Sequence, residues 1–297
     1  MPSGLLVKLN PMGPWRLGTP SGERDRGDDV LHSDTLFSAL CWAMESLGML
    51  EPWLDATARA AEPLVRHSSC FPYTGNTLFA PPPRTLWPPQ ASSKVRWKGA
   101  RFVPVSVVAD LIAGRVPSEH SWSIDVASQC LVAHSKPGPF RYSVRSFSAV
   151  DRFSEGVAPH AASCLEFAQD SGLWCAVAFA SPEVQTEWRW RIEAAFRLLG
   201  DSGIGGGRSR GWGHFVPQFS PLPALLGNAE SVAGYWILSV YAPGSLDTVD
   251  WKTGSYSLVT RSGRAATGDV KSSSRMVSEG SVVCASSAPA GTVLDVT

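Results

Sequence analysis

An α+β fold is what the 297-residue sequence predicts, on three observations. Short apolar runs that read as strands open the chain at Leu5–Leu9 and recur at Ala162–Ala168, at Leu173–Ala180 and after Gly213. Two intervening segments repeat apolar residues at three- and four-residue spacing, the helical period. With an irregular stretch at about 50–140 set aside as a large insertion, the order is strand, helix, strand, strand, helix, strand. That is the split βαβ order of ferredoxin-like domains, which the RNA recognition motif also uses; the aromatic signature of that motif is absent. Residues 1–220 are expected to form this ferredoxin-like (RRM-like) domain, insertion included, and 232–297 a smaller, β-rich, degenerate second domain.

After the first strand, Asn10–Leu31 is a loop rich in Gly, Pro and charge. His32-Ser33-Asp34 then opens a helix, with Ser33 read as its cap and Asp34 suited to its positive end. Leu36, Leu40, Met44 and Leu47 form the buried stripe, with Phe37 and Cys41 beside it. His32 and Asp34 are residue types that could catalyse, but capping and loop anchoring are the readings favoured here. Phe71-Pro72-Tyr73 begins a short strand bounded by prolines. Arg84, Trp87, Lys94, Arg96, Trp97 and Lys98 interleave aromatics with bases, a pattern that suits base stacking and phosphate contact as well as a solvated edge of the insertion. Phe102–Ala113 reads as a strand running into a short helix. Further on, Arg141, Arg145 and Arg152 flank a run ending at Gly156. Gln169-Asp170-Ser171-Gly172 is a turn signal that joins the strands at 162–168 and 173–180 as a hairpin.

The second helix is expected over Thr186–Leu199, from Trp188, Ile192, Ala195, Phe196 and Leu199, with Gly200 and Asp201 ending it. It leads into Gly203-Ile204-Gly205-Gly206-Gly207-Arg208-Ser209-Arg210-Gly211-Trp212-Gly213, the candidate functional loop. Residues without Cβ let backbone amides approach a ligand, and successive amides turned one way form an anion nest. Arg208 and Arg210 add guanidinium forks that match phosphate oxygens. The loop follows a helix instead of opening one, its glycine spacing breaks at Arg208, and no Gly-Lys-Ser/Thr occurs. Dinucleotide and P-loop readings therefore fail. A loop that grips a nucleic-acid backbone is the reading adopted, against a plain flexible connector. Ser220-Pro-Leu-Pro223 is a linker, and Tyr235–Pro243 opens the second unit, with strands at Ser255–Thr260 and Met276–Cys284.

Composition narrows the classes. With 26 basic and 26 acidic residues the net charge is zero, unlike a freestanding nucleic-acid binder, but compatible with a subunit that has one basic surface. Twelve tryptophans suit both a Trp-rich core and interface anchors. The six cysteines are scattered, with no Cys-x-x-Cys and no zinc spacing, so no metal or cofactor is expected and a reduced cytoplasm is. No signal-peptide core is present, and the longest apolar run, Leu173–Ala180, is too short to span a bilayer.

Taken together, several of these residues resemble the RAMP superfamily of CRISPR–Cas proteins, and within it the family of fourth Csm subunits of type III-A effector complexes. The resemblance lies in His32-Ser-Asp-Thr-Leu-Phe-Ser-Ala-Leu-Cys41, Phe71-Pro-Tyr73, Leu78-Phe79 with prolines 81–83, Val150-Asp-Arg152, the glycine loop, and Glu279-Gly-Ser-Val282. It departs at Pro82, where the family usually has a basic residue between prolines, and at Thr297, beyond which such proteins tend to run on into a final strand. The resemblance implies a noncatalytic RNA-binding subunit in antiviral defence. Such a subunit holds the 5′ handle of the crRNA and links the large polymerase-like Cas subunit to the backbone RAMP subunits. The RNA contacts it implies are Gly203, Gly205, Gly206, Gly207, Arg208, Ser209, Arg210 and Gly211, with Arg152 on a hairpin and His32 at the rim of the groove. The alternative is a RAMP endoribonuclease that processes precursor crRNA or cuts target RNA, for which His32 and His214 would supply acid and base.

Overall fold

The computed structural model describes residues 4–18, 27–89, 95–150, 157–226, 234–263 and 271–296. Its largest layer is an antiparallel seven-stranded sheet. The strand order is Phe215–Pro221, Gly4–Pro11, Ser171–Phe179, Phe71–Thr74, Thr77–Ala80 and Val103–Pro104, with Val65–His67 also paired to Ser171–Phe179. Ser171–Phe179 sits centrally and is buried at seven of its nine positions, which is why it reads as an unbroken apolar run. Gly4–Pro11 registers against it from Gly4↔Ala178 to Leu9↔Leu173, and against Phe215–Pro221 on its other side.

Helices Ser33–Ser46 and Pro182–Ser202 close the core. Leu36, Leu40 and Met44 of the first and Ile192, Phe196 and Leu199 of the second join Leu5, Val7, Leu9 and Trp174 in one apolar cluster. The expected stripe loses Leu47, which lies just past the helix and is 39 % exposed; Ala43 takes the inner position instead. The second helix extends past the expected bounds at both ends. Ser181 Oγ accepts the Val184 amide at 3.3 Å and Pro182 occupies the first turn, a start signal that lies before the apolar repeat. Gly200 does not end it. A Cβ there would lie 2.3 Å from the Phe215 carbonyl oxygen, so the glycine marks a close helix–strand approach inside the helix.

Two strand expectations need correction. Val157–Phe167 pairs with Phe140–Val150 as a separate two-stranded ribbon, not with Ser171–Phe179. The turn at Asp170 exists, with φ +53°, but it passes the chain from ribbon to sheet. The sheet's inner neighbour at that edge comes instead from Val65–His67 and Phe71–Thr74. Part of the stretch set aside as an insertion therefore belongs to the main sheet. The remainder builds its own small core from Trp97, Val103, Val107, Val108 and Leu131. Trp87 and Trp97 stack there, 5.5 Å between centroids and 11° between planes, and Trp97 is 1 % exposed. These two rings are packing groups, which removes the aromatic half of the basic-aromatic pattern; Lys94 lies outside the described residues.

The last unit carries strands Tyr235–Trp236, Val249–Ser255, Leu258–Arg261, Ser274–Val277 and Val282–Ala285, with a cluster of Ile237, Tyr241, Val277 and Val283. No α-helix occurs among the described residues of this stretch. Among the described residues the cysteines are free thiols, no group of His, Cys, Asp and Glu could hold a metal, and no helix is long and apolar enough to cross a membrane.

Candidate nucleic-acid interface

The glycine loop begins where the long helix stops. The Gly203 amide donates to the Leu199 carbonyl at 2.8 Å, and Gly203 turns the chain at φ +76°. Gly205, Gly207, Gly211 and Gly213 also have φ between +77° and +85°. At two positions contact as well as conformation demands glycine. A Cβ on Gly205 would lie 2.3 Å from the Arg16 carbonyl oxygen, and one on Gly213 would lie 2.0 Å from that of Ile204. The loop thus rests against the segment after the first strand. The Gly206 amide donates to Arg16 and that of Gly213 to Pro14, at 2.8 and 3.0 Å.

This docking revises the expected role of the backbone. The amides of Gly203, Ile204, Gly206, Arg210, Gly211, Trp212 and Gly213 all donate to carbonyls within the protein. Those of Gly205, Gly207, Arg208 and Ser209 make no hydrogen bond among the described residues. Arg208–Arg210 is a single 3-10 turn between left-handed Gly207 and Gly211, and all three of its side chains are exposed. The glycines are chiefly devices that fold the loop flat and push this turn outward.

The turn meets the ribbon. The Arg210 guanidinium lies 4.0 Å from the Phe147 ring centroid, and Phe147 lies 5.7 Å from buried Trp212. A cation over an aromatic face is held by the ring quadrupole, so Arg210 is pre-oriented while its donors stay available. On the same ribbon, Arg141 donates to Glu166 Oε2 at 3.0 Å and Arg145 pairs with Glu166 Oε1. The expected contact at Arg152 falls outside the described residues. Phe147, which positions Arg210, was not anticipated; its place in the run beside Arg145 carried no local signal.

His32 lies elsewhere in character. It is 8 % exposed, and both ring nitrogens are engaged. Nδ1 donates to Glu279 Oε1 at 2.7 Å and Nε2 to Asp28 Oδ2 at 3.0 Å. Burial pulls its pKa down, but the two carboxylates outweigh burial and hold it at about 9. Burial opposes ionisation of Asp28 as well, yet His32 and Arg101 bring it to about 2. Beside it Asp29 is pushed up to about 6 by burial, despite the Arg101 guanidinium 2.8 Å away. The rim position expected for His32 is thus corrected: it is an internal clasp between the first helix and the C-terminal unit.

The flanking residues extend that clasp. Ser69 Oγ donates to Glu279 Oε1 at 2.5 Å and accepts the Ser33 amide at 2.8 Å. Ser33 is not a helix cap. It is the first helical residue, and its hydroxyl oxygen accepts the Val240 amide at 3.0 Å. Asp34 takes Arg261 Nε and Nη2 at 2.8 and 2.9 Å. The motif 32–34 therefore holds the second unit, through partners some 200 positions away that no local pattern could name.

Comparison with known proteins follows this geometry. No family model matches the chain. The CRISPR system Cms protein Csm4 of Thermococcus onnurineus (strain NA1) is 25 % identical over 238 residues, covering 74 % of this chain and 69 % of that protein. The chain resembles Csm4. A chain in the crystal structure of the Csm3–Csm4 subcomplex of the type III-A CRISPR–Cas interference complex superposes with a TM-score of 0.67 at 16 % identity, covering 98 % of this chain and 96 % of that one. One in the Csm1–Csm4 cassette with cA4 gives 0.58 at 19 %, covering 94 % and 85 %. At these identities the structures establish a shared fold; among the described residues of this chain it is α+β, with a large antiparallel sheet and four α-helices. The Csm4-like fold thus spans nearly the whole chain.

Proposed function

We propose that this chain is a noncatalytic RNA-binding subunit of a type III-A CRISPR effector complex. It holds the 5′ handle of the crRNA and links the large polymerase-like subunit to the RAMP backbone. The observation that carries this reading is the outward turn Arg208–Arg210, flanked by left-handed glycines and braced on Phe147. Phosphates meet the two guanidinium groups and the amides of Gly205, Gly207, Arg208 and Ser209; the hydrogen-bonded loop amides serve the fold. Similarity to Csm4, and the solved association of Csm4 with Csm3 and with Csm1, supports the choice of complex and partners.

The same reading treats the sheet order Phe215–Pro221, Gly4–Pro11, Ser171–Phe179, Val65–Thr74, with helices Ser33–Ser46 and Pro182–Ser202, as the ferredoxin-like core of residues 1–220. The smaller β-rich domain then spans 232–297. A general base needs a free lone pair, and His32 has both nitrogens bound to carboxylates; this favours holding RNA over cutting it.

Filter binding of handle RNA across a salt series tests the proposal. Arg208→Ala with Arg210→Ala should lower retention and flatten the slope of log K against log salt by about 1.4, the loss of two single-strand phosphate contacts. Unchanged retention and slope would falsify the assignment. Specific cleavage of labelled repeat RNA, abolished by His214→Ala, would replace it with the endoribonuclease.

A further inference from the structure

Five of the six glycines between 203 and 213 have a left-handed φ, so the fold itself calls for them. Gly206 does not, and a different contact accounts for it. A Cβ there would meet the side chain of Arg16, at 3.2 Å from Cδ, 3.6 Å from Cγ and 3.8 Å from Cβ. The bare backbone of Gly206 is thus the seat of the Arg16 stem. The Gly206 amide also donates to the Arg16 carbonyl at 2.8 Å, which fixes the two segments main chain to main chain. Arg16 is pinned by its neighbours as well. Trp15 bridges to Leu165 of the ribbon, Leu17 pairs with Asp28, and both Trp15 and Leu17 are buried. Successive side chains of an extended segment point to opposite faces, so burial of these two turns Arg16 toward the loop, where it is half-buried. On either side of its seat, the amides of Gly205 and Gly207 make no hydrogen bond among the described residues.

We infer that Arg16 is a third arginine of the RNA-binding surface and contacts the backbone of the same strand as Arg208 and Arg210. The inference rests on the reading of the loop proposed above. A stem laid along a glycine has lost rotamer freedom before the ligand arrives, which lowers the entropic cost of each contact. The guanidinium fork carries five N–H donors, so a partner inside the protein leaves others for a phosphate. Gly206 acts through Arg16 and is a positioning residue.

Filter binding of handle RNA to the full chain across a salt series tests this, with thermal midpoints measured alongside. Arg16→Gln keeps most of the stem but removes the charge, and should flatten the slope of log K against log salt by about 0.7, one single-strand phosphate contact. Arg16→Lys keeps the charge and should keep the slope. Combined with Arg208→Ala and Arg210→Ala, Arg16→Gln should bring the total flattening to about 2.1. Gly206→Ala displaces only a flexible stem, so it should weaken retention without lowering the thermal midpoint. A slope left unchanged by Arg16→Gln but flattened by the Arg208→Ala, Arg210→Ala pair would overturn the inference and leave the loop's proposed role standing. A slope unchanged by both would overturn the two together. Equal retention by Gly206→Ala and wild type would overturn the positioning role of Gly206.

Discussion

At Gly213 an added Cβ would lie 2.0 Å from a carbonyl oxygen, whereas at Gly211 it would meet nothing within 4 Å. Both residues have a left-handed φ, so alanine at either costs about 1–2 kcal/mol in backbone strain; only at Gly213 must the loop also move. Urea titrations should show a modest shift for Gly211→Ala and a larger one for Gly213→Ala, and equal shifts would contradict the docked geometry. His32 makes a second prediction. Its folded pKa of about 9 lies above the ordinary 6.5, so the stability of the charged ring is complete below about pH 6.5 and is lost as pH rises through 9. Its size at the low-pH limit is about 3 kcal/mol. The difference in urea midpoint between wild type and His32→Gln should therefore shrink from pH 7 to pH 10. Asp28 behaves oppositely, since its folded pKa is depressed to about 2: its contribution is present above about pH 4 and lost on acidification below that.

The long helix and the loop after it were the most legible elements. Trp188, Ile192, Phe196 and Leu199 announce the helix by period alone, and the glycine-arginine cluster identified the loop by residue type. What the loop's backbone does was not legible, because its docking on Pro14–Arg16 depends on residues almost 200 positions away. The sheet's 65–74 neighbour was legible in part: Phe71-Pro72-Tyr73 reads as the start of a short strand, and Phe71–Thr74 is one, but its place in the main sheet was not legible. Val65–His67 is cut off from it at Ser68–Cys70, so its own alternation never runs long enough to register. The strand expected at 162–168 supplied a cleaner pattern and was joined to 173–180 wrongly, since periodicity reports a half-buried strand but not its partner; the observed strand, Val157–Phe167, pairs with Phe140–Val150. Gly200 gives a prediction at this scale. In an open helix Gly→Ala would stabilise by about 1 kcal/mol; here the Cβ meets the Phe215 carbonyl oxygen at 2.3 Å. Gly200→Ala should instead lower the thermal midpoint, and a raised midpoint would show that the helix can lift off the strand.

Across the whole molecule, charged pairs join units that differ in sequence position by more than 200 residues: His32 with Glu279, and Asp34 with Arg261. Removing one member of a buried pair leaves the other uncompensated and typically costs about 3–5 kcal/mol. Glu279→Ala should thus destabilise the chain strongly, and a double-mutant cycle with His32→Gln should show coupling well above the error of the measurement; additive effects would mean that the two units are held by apolar contact alone. The sheet has another property with consequences for assembly. Its outermost strand, Phe215–Pro221, contains Pro217 and Pro221, which have no N–H to offer a neighbour. A foreign strand laid along that margin would find the donor row interrupted, which blunts edge-to-edge aggregation. A partner that meets this margin must therefore dock through side-chain surfaces and loops, with the hydrogen-bond ladder terminating here.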